Sequence, residues 1–158
     1  MLANMVKYTT INFCTTMSVN AYADLQKGES MNLSRVHHIA IICSDYRRSL
    51  DFYTKTLGLR VIAEHYRAAR DSYKTDLALG DDYVVELFSF PNPPARTTNP
   101  EAAGLRHLAF ATDDIDFAAS ELDRAGILHE PLRVDEFTGK RFFFLRDPDD
   151  LPIELYEA

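Results

Sequence analysis

The chain has 158 residues, which suits one domain or two small fused modules. Its composition, 46% hydrophobic and 26% charged, can build a real core, and a net charge of −7 argues against a broad nucleic-acid footprint, which leaves small molecules or other proteins as partners. No run approaches the ~20 apolar residues of a membrane span, and the two cysteines, Cys14 and Cys43, form no disulfide framework.

Residues 1–30 show no clear helical or strand period. An "AYA" before Asp24 hints at an export cleavage site, but the stretch "YTTINFCTTMSV" carries four threonines and is polar for such a signal. Met31 opens "MNLSRVHHIAI", so the expectation is a start at Met31, with residues 1–30 a disordered or non-native extension. A mature N-terminus near Asp24 in the native protein would instead mark export. Cys43 ends an apolar run and reads as a buried free thiol, which fits a reducing, cytoplasmic setting.

From there strand and helix signals alternate. Val36–Ile42 is apolar and β-branched, which predicts a strand. "SDYRRSLDFYTKTLGL" follows, with Ser44 or Asp45 as cap, Tyr46, Leu50, Tyr53 and Leu57 at helical spacing, and Gly58 as stop. "RVIAEHY", "SYKTDLAL" and "YVVELFSF" read as three strands, the last two joined by a turn at Gly80-Asp81-Asp82. "PNPPARTTNPEAAG", residues 91–104, is a proline-rich linker. The order then resumes: a strand at Leu105–Thr112, a cap at Asp113 or Asp114, a helix in "IDFAASELDRAG" and a weak strand in "ILHEPLRV". "GKRFFFLR", the turn "DPDD" and the strand "PIELYE" complete it. This is β-α-β-β-β written twice, over residues 35–90 and 105–158, and it predicts a single α+β domain across 35–158. Two such modules packed about a pseudo-twofold can curve their sheets around a shared cavity.

The duplication extends to chemistry. "VHHIAI" and "LRHLAF" put a histidine and an alanine two residues apart, on one strand face, in each module. The last strand of each module places a glutamate between apolar neighbours, Glu86 between Val85 and Leu87 and Glu154 between Ile153 and Leu155. A buried carboxylate is costly without a partner, and the anomaly recurs at nearly the same distance: 48 residues from His38 to Glu86, 47 from His107 to Glu154. Singly, each residue would read as packing or a solvent-facing group. Together, two imidazoles and two carboxylates suit a divalent transition metal, with nickel, cobalt, manganese, iron(II) or zinc all admissible. His37 is expected on the opposite face from His38, and His65 and His129 as packing or surface residues.

"HHIAIICSDYRRSLDFYTKTLGL", "GLRHLAF" and "DPDDLPIELYE" resemble the vicinal oxygen chelate superfamily, whose members include glyoxalase I, extradiol dioxygenases, fosfomycin-resistance proteins and methylmalonyl-CoA epimerase. "ARDSYKTDLAL" and "YVVELFSFP" are most similar to its YaeR-type proteins. The resemblance implies the glyoxalase/bleomycin resistance/dioxygenase fold: two tandem βαβββ modules forming a curved mixed sheet around a metal cavity, commonly in a homodimer. It puts the ligands at His38, Glu86, His107 and Glu154, with Glu154, then Glu86, as the proton-moving base. It implies a metal-dependent lyase or isomerase, similar to lactoylglutathione lyase, acting on a small α-oxygenated substrate or thiol adduct. Alternatives are a non-catalytic metal-containing binding protein and a metal-dependent dioxygenase or thiol transferase. Positions that hold glutathione in glyoxalase I carry Ile42 and Phe90 here, and Ala103 replaces an arginine that some members carry, which points to another thiol. Arg67, Lys74, Lys140 and Arg141, on or near the predicted inner strands, are the candidate contacts for substrate anions. Asp150 stands where the "DPDG" turn has glycine, and Asp tolerates that turn's positive φ.

Overall fold

The structure is a computed structural model that describes residues 31–158. The expectations for residues 1–30 lie outside the described residues. Residues 31–35 carry no helix or strand, and Val36–Ala158 form a separate compact unit.

Within that unit the duplicated order appears as two four-stranded mixed sheets. The first contains β1 (Ile39–Cys43), β2 (Arg60–Arg67), β3 (Ser72–Leu79) and β4 (Asp82–Ser89), in the spatial order β1-β4-β3-β2. The second contains β5 (Leu108–Thr112), β6 (Arg133–Val134), β7 (Arg141–Arg146) and β8 (Pro152–Glu157), in the order β5-β8-β7-β6. In each sheet the first and last strands pair in parallel and the others antiparallel. The registers match: Ala40 lies opposite Glu86, and Ala109 opposite Glu154.

The predicted caps explain where the helices begin. In α1 (Tyr46–Asp51) the Asp45 carboxylate accepts from the Arg48 N–H at 3.1 Å. The predicted helix continues as a π-turn over Phe52–Thr56, where the Leu57 N–H reaches back five residues to the Phe52 carbonyl. The Thr54 hydroxyl meanwhile takes the Leu50 carbonyl at 2.7 Å. In α2 (Ile115–Ala125) the Asp114 carboxylate accepts from the Phe117 N–H. Gly126, at φ +67°, lets the chain turn back onto the last carbonyls. Asp150 adopts φ +67°, so the turn forms without glycine, as expected.

Strand alternation decides what is buried. Ile41, Cys43, Leu77, Val85 and Leu87 from the first sheet share one core with Phe143, Leu145 and Ile153 from the second and with Tyr53, Ile115 and Leu122 from the helices. Burial pushes the Cys43 thiol up to about 11, despite a hydrogen bond from Ser49. The opposite face of each sheet, which carries Ala40, Ile42 and Glu86 in one and Ala109, Ala111 and Glu154 in the other, is left uncovered by the described residues, and Ile42 is 55% exposed.

A polar clasp joins the modules. The fully buried Tyr53 donates to Asp147 Oδ2 at 2.8 Å, and the Ser44 N–H donates to the Asp149 carboxylate. Burial raises the Asp147 carboxyl, while the N–H groups of Leu151 and Asp149 and the Tyr53 hydroxyl stabilise its charge. With its pKa raised in the folded state, Asp147 favours folding at low pH, and this contribution is lost as pH rises through the folded-state value. Tyr53→Phe deletes the donor and is expected to cost about 1–3 kcal/mol at neutral pH. The loss should shrink as pH falls and Asp147 protonates. Urea denaturation at pH 7 and pH 4 measures both effects, and an equal loss at the two values would contradict the account.

Candidate metal centre

Each sheet carries one histidine–glutamate pair on its uncovered face. His38 Nε2 lies 3.2 Å from Glu86 Oε2, and His107 Nε2 lies 3.2 Å from Glu154 Oε2. Both histidines sit just before the first strand of their module, two residues before the alanine opposite the glutamate. Two donors each about 2.1 Å from one ion, at tetrahedral or octahedral angles, stand about 3–3.5 Å apart. Each pair therefore has the spacing of adjacent ligands. Donors of this type fit zinc, nickel, cobalt, manganese or iron(II).

The structure brings the four residues together two by two. Among the described residues, no three His, Cys, Asp or Glu side chains come close enough to hold a single ion. Each module thus presents one histidine and one glutamate on its own sheet.

The halves differ in their surroundings. On the first sheet Lys74 Nζ lies 2.6 Å from both Glu86 Oε1 and Asp76 Oδ1. The Tyr83 hydroxyl donates to Asp76 at 3.0 Å, and the Tyr83 ring stacks on His38 at 5.1 Å. Burial pushes the Glu86 and Asp76 carboxyls up, but Lys74 and Tyr83 outweigh it and hold both below their ordinary values. Lys74 is raised in turn by Asp76 and Glu86. On the second sheet Phe144 stands opposite Glu154 and meets the His107 ring edge-on at 5.3 Å. Among the described residues, His107 alone forms an ion pair with Glu154.

The other candidates are placed as follows. The Arg67 guanidinium lies over the Phe88 and Phe90 rings and donates to the Ser72 hydroxyl at 2.6 Å. Arg141 is engaged by Glu157 and Asp116 at 2.8–2.9 Å, and Lys140 directly precedes β7. His129 is a packing residue, as expected, its ring 4.8 Å from Phe143. His37 departs from expectation. Its Nδ1 lies 2.7 Å from His38 Nδ1, because β1 begins at Ile39 and strand alternation does not govern residues 37 and 38. Asp76 and Tyr83 were not singled out in the sequence. The signal was available: Asp76 lies two positions beyond Lys74 on one strand face, opposite Glu86.

The model of the Glyoxalase/Bleomycin resistance protein/Dioxygenase superfamily matches residues 35–155. The chain is 61% identical over 127 residues to the uncharacterized protein YwkD of Bacillus subtilis, covering 80% of this chain and 99% of that protein. It is 57% identical to the uncharacterized protein YaeR of Escherichia coli, covering 80% and 98%. The crystal structure of a glyoxalase family protein from Enterococcus faecalis superposes with a TM-score of 0.73 at 44% identity, covering 80% of this chain and all of that one.

Proposed function

The chain belongs to the glyoxalase/bleomycin resistance protein/dioxygenase superfamily, and from that premise we propose that it is a divalent-metal-dependent lyase or isomerase of glyoxalase type. Its substrate would be a small α-oxygenated compound or a thiol adduct of one. The observation that carries this reading is the duplicated His–Glu pair, at 3.2 Å and in the same register on two open sheet faces. Since the pairs stay apart in one chain, the proposal includes a homodimer in which His38 and Glu86 of one copy meet His107 and Glu154 of the other. A twofold pairing of this kind is self-complementary and closes two equivalent sites.

His38, Glu86, His107 and Glu154 would hold the ion, which would supply Lewis-acid polarisation of an oxygenated substrate. His38 and His107 would be its nitrogen donors. Glu86, tied through its second oxygen to Lys74, would be the fixed ligand. Glu154 has no such tie and an aromatic neighbour in Phe144, so it is the carboxylate free to take and return the proton. Lys74 is therefore a positioning residue for Glu86 and Asp76.

The test loads the protein with nickel, cobalt, manganese, iron(II) or zinc and assays methylglyoxal with several thiols. Wild-type protein is expected to turn over at least one adduct, and Glu154→Gln to lower kcat about 10²–10⁴-fold. Oxygen consumption by the iron or manganese form would move the reading to a dioxygenase. Tight ligand binding with no product on any thiol would move it to a binding protein.

A further inference from the structure

Beside the second half-site lies a cavity of about 170 Å³ whose lining includes Arg106, Arg133, Arg146, Phe144 and Pro152. Its position follows from strand register. Phe144 is opposite Glu154, Arg146 is opposite Pro152, and Arg133 is opposite Phe142, so these side chains share the sheet face that carries Glu154. Pro152 precedes Glu154 by two residues, which sets the cavity about 7 Å along the strand from the carboxylate. Arg106 directly precedes His107, and its Nη1 lies 3.4 Å from His107 Nδ1.

We infer that this cavity is an oxyanion subsite that holds a carboxylate or phosphoryl group of the substrate, a few bonds from its reacting oxygens. The inference rests on the catalytic reading above and narrows its substrate to an anionic α-oxygenated compound.

Three observations support it. First, the lining brings together three arginines, with Glu101 and Glu130 in the lining and Asp150 beside it as their acidic partners. Each arginine meets its own acidic partner through a single nitrogen: Arg106 with Glu101 at 2.9 Å, Arg133 with Glu130 at 2.7 Å and Arg146 with Asp150 at 3.3 Å. A guanidinium has five donors in a planar fork, so one-nitrogen pairs leave donors for a bidentate oxyanion. Second, the Arg133 guanidinium carbon lies over the Phe142 and Phe144 rings, 4.8 and 5.5 Å from their centroids. That cation–π contact holds the head group against the sheet face that carries Glu154. Third, the first module serves as an internal control. The positions matching Arg106 and Arg133 are His37 and His65, so the duplicated scaffold does not require arginine there.

The probes are inorganic phosphate and glutarate, titrated calorimetrically into the full-length protein at fixed chloride, with and without chelator. Wild-type protein should bind one anion per chain saturably in chelator, and Arg133→Gln and Arg146→Gln should each weaken it at least tenfold. Arg47→Gln, at an exposed position on α1, should leave it unchanged. Preference between the two anions assigns the group as phosphoryl or carboxylate. Unsaturable binding, or equal affinity in the variants, overturns the inference. Should the variants misfold, the arginine Nε–Hε resonances of wild-type protein decide: selective shifts at Arg106, Arg133 and Arg146 support the subsite, and shifts spread evenly over all arginines overturn it. Metal binding without anion binding refutes only the subsite. Anion binding in protein that takes up no metal refutes only the catalytic reading.

Discussion

Mixing two inactive variants is expected to restore metal binding that neither shows alone. One variant, His38→Ala/Glu86→Gln, disables the first half-site, and the other, His107→Ala/Glu154→Gln, disables the second. Either homodimer has two broken sites. A mixed dimer has one site broken on both sides and one intact, formed by the first module of one copy and the second module of the other. Statistical exchange at equal concentration should therefore recover about a quarter of the wild-type ion capacity, as twofold pairing dictates. Each variant alone should bind at least about 100-fold more weakly than wild type, more than the loss of an outer-shell partner costs. Ion titration of the mixture after partial unfolding and refolding reads the result. Zero recovery from a mixture that demonstrably forms mixed dimers would mean that each site closes within its own chain.

Phe143→Ala is expected to be the most damaging single truncation for stability, at about 3–5 kcal/mol. Phe143 is fully buried on the inner face of β7, in the core that both sheets share, with the His129 ring against it. Its removal leaves a void that neither sheet can fill without moving the other. A typical domain has only about 5–15 kcal/mol in reserve. Phe142 and Phe144, its neighbours, point to the uncovered face and are half-buried. Their truncation should cost less stability and instead weaken the second half-site and the Arg133 stack. Thermal melts of the three alanine variants, compared with their metal and phosphate affinities, separate the two faces of one strand. Equal melting losses at all three positions would refute the assigned facing.

Much of this architecture was legible in the sequence because it depends on short-range rules. Asp45, Asp114 and Gly126 mark helix ends by local hydrogen bonding. β3 and β8 match their predicted residues, since alternating apolar positions specify a half-buried strand. The matching His-to-Glu intervals exposed the duplication, and the structure brings each pair together. What the sequence hid depends on distant contacts. β1 and β5 begin three residues later than expected, because pairing starts only where β4 and β8 provide partners, at Ile39↔Val85 and Leu108↔Ile153. The weak strand over 127–134 shrinks to Arg133–Val134 and an isolated bridge at His129, since Pro131 has no N–H to donate to a ladder. The π-turn after α1 left no trace in the apolar spacing. The arginine cavity is assembled from separate segments of the second half, so no local window contained it.

The open, site-bearing face of each sheet has a thermodynamic consequence. If an ion bridges donors from two copies, then ion activity and protein concentration act on the same equilibrium, and each can substitute for the other by mass action. Diluting the protein would release the ion, and scavenging the ion would loosen the pair. A cell holding such a protein would then adjust how much of it is competent through its supply of divalent metal, with no change in synthesis.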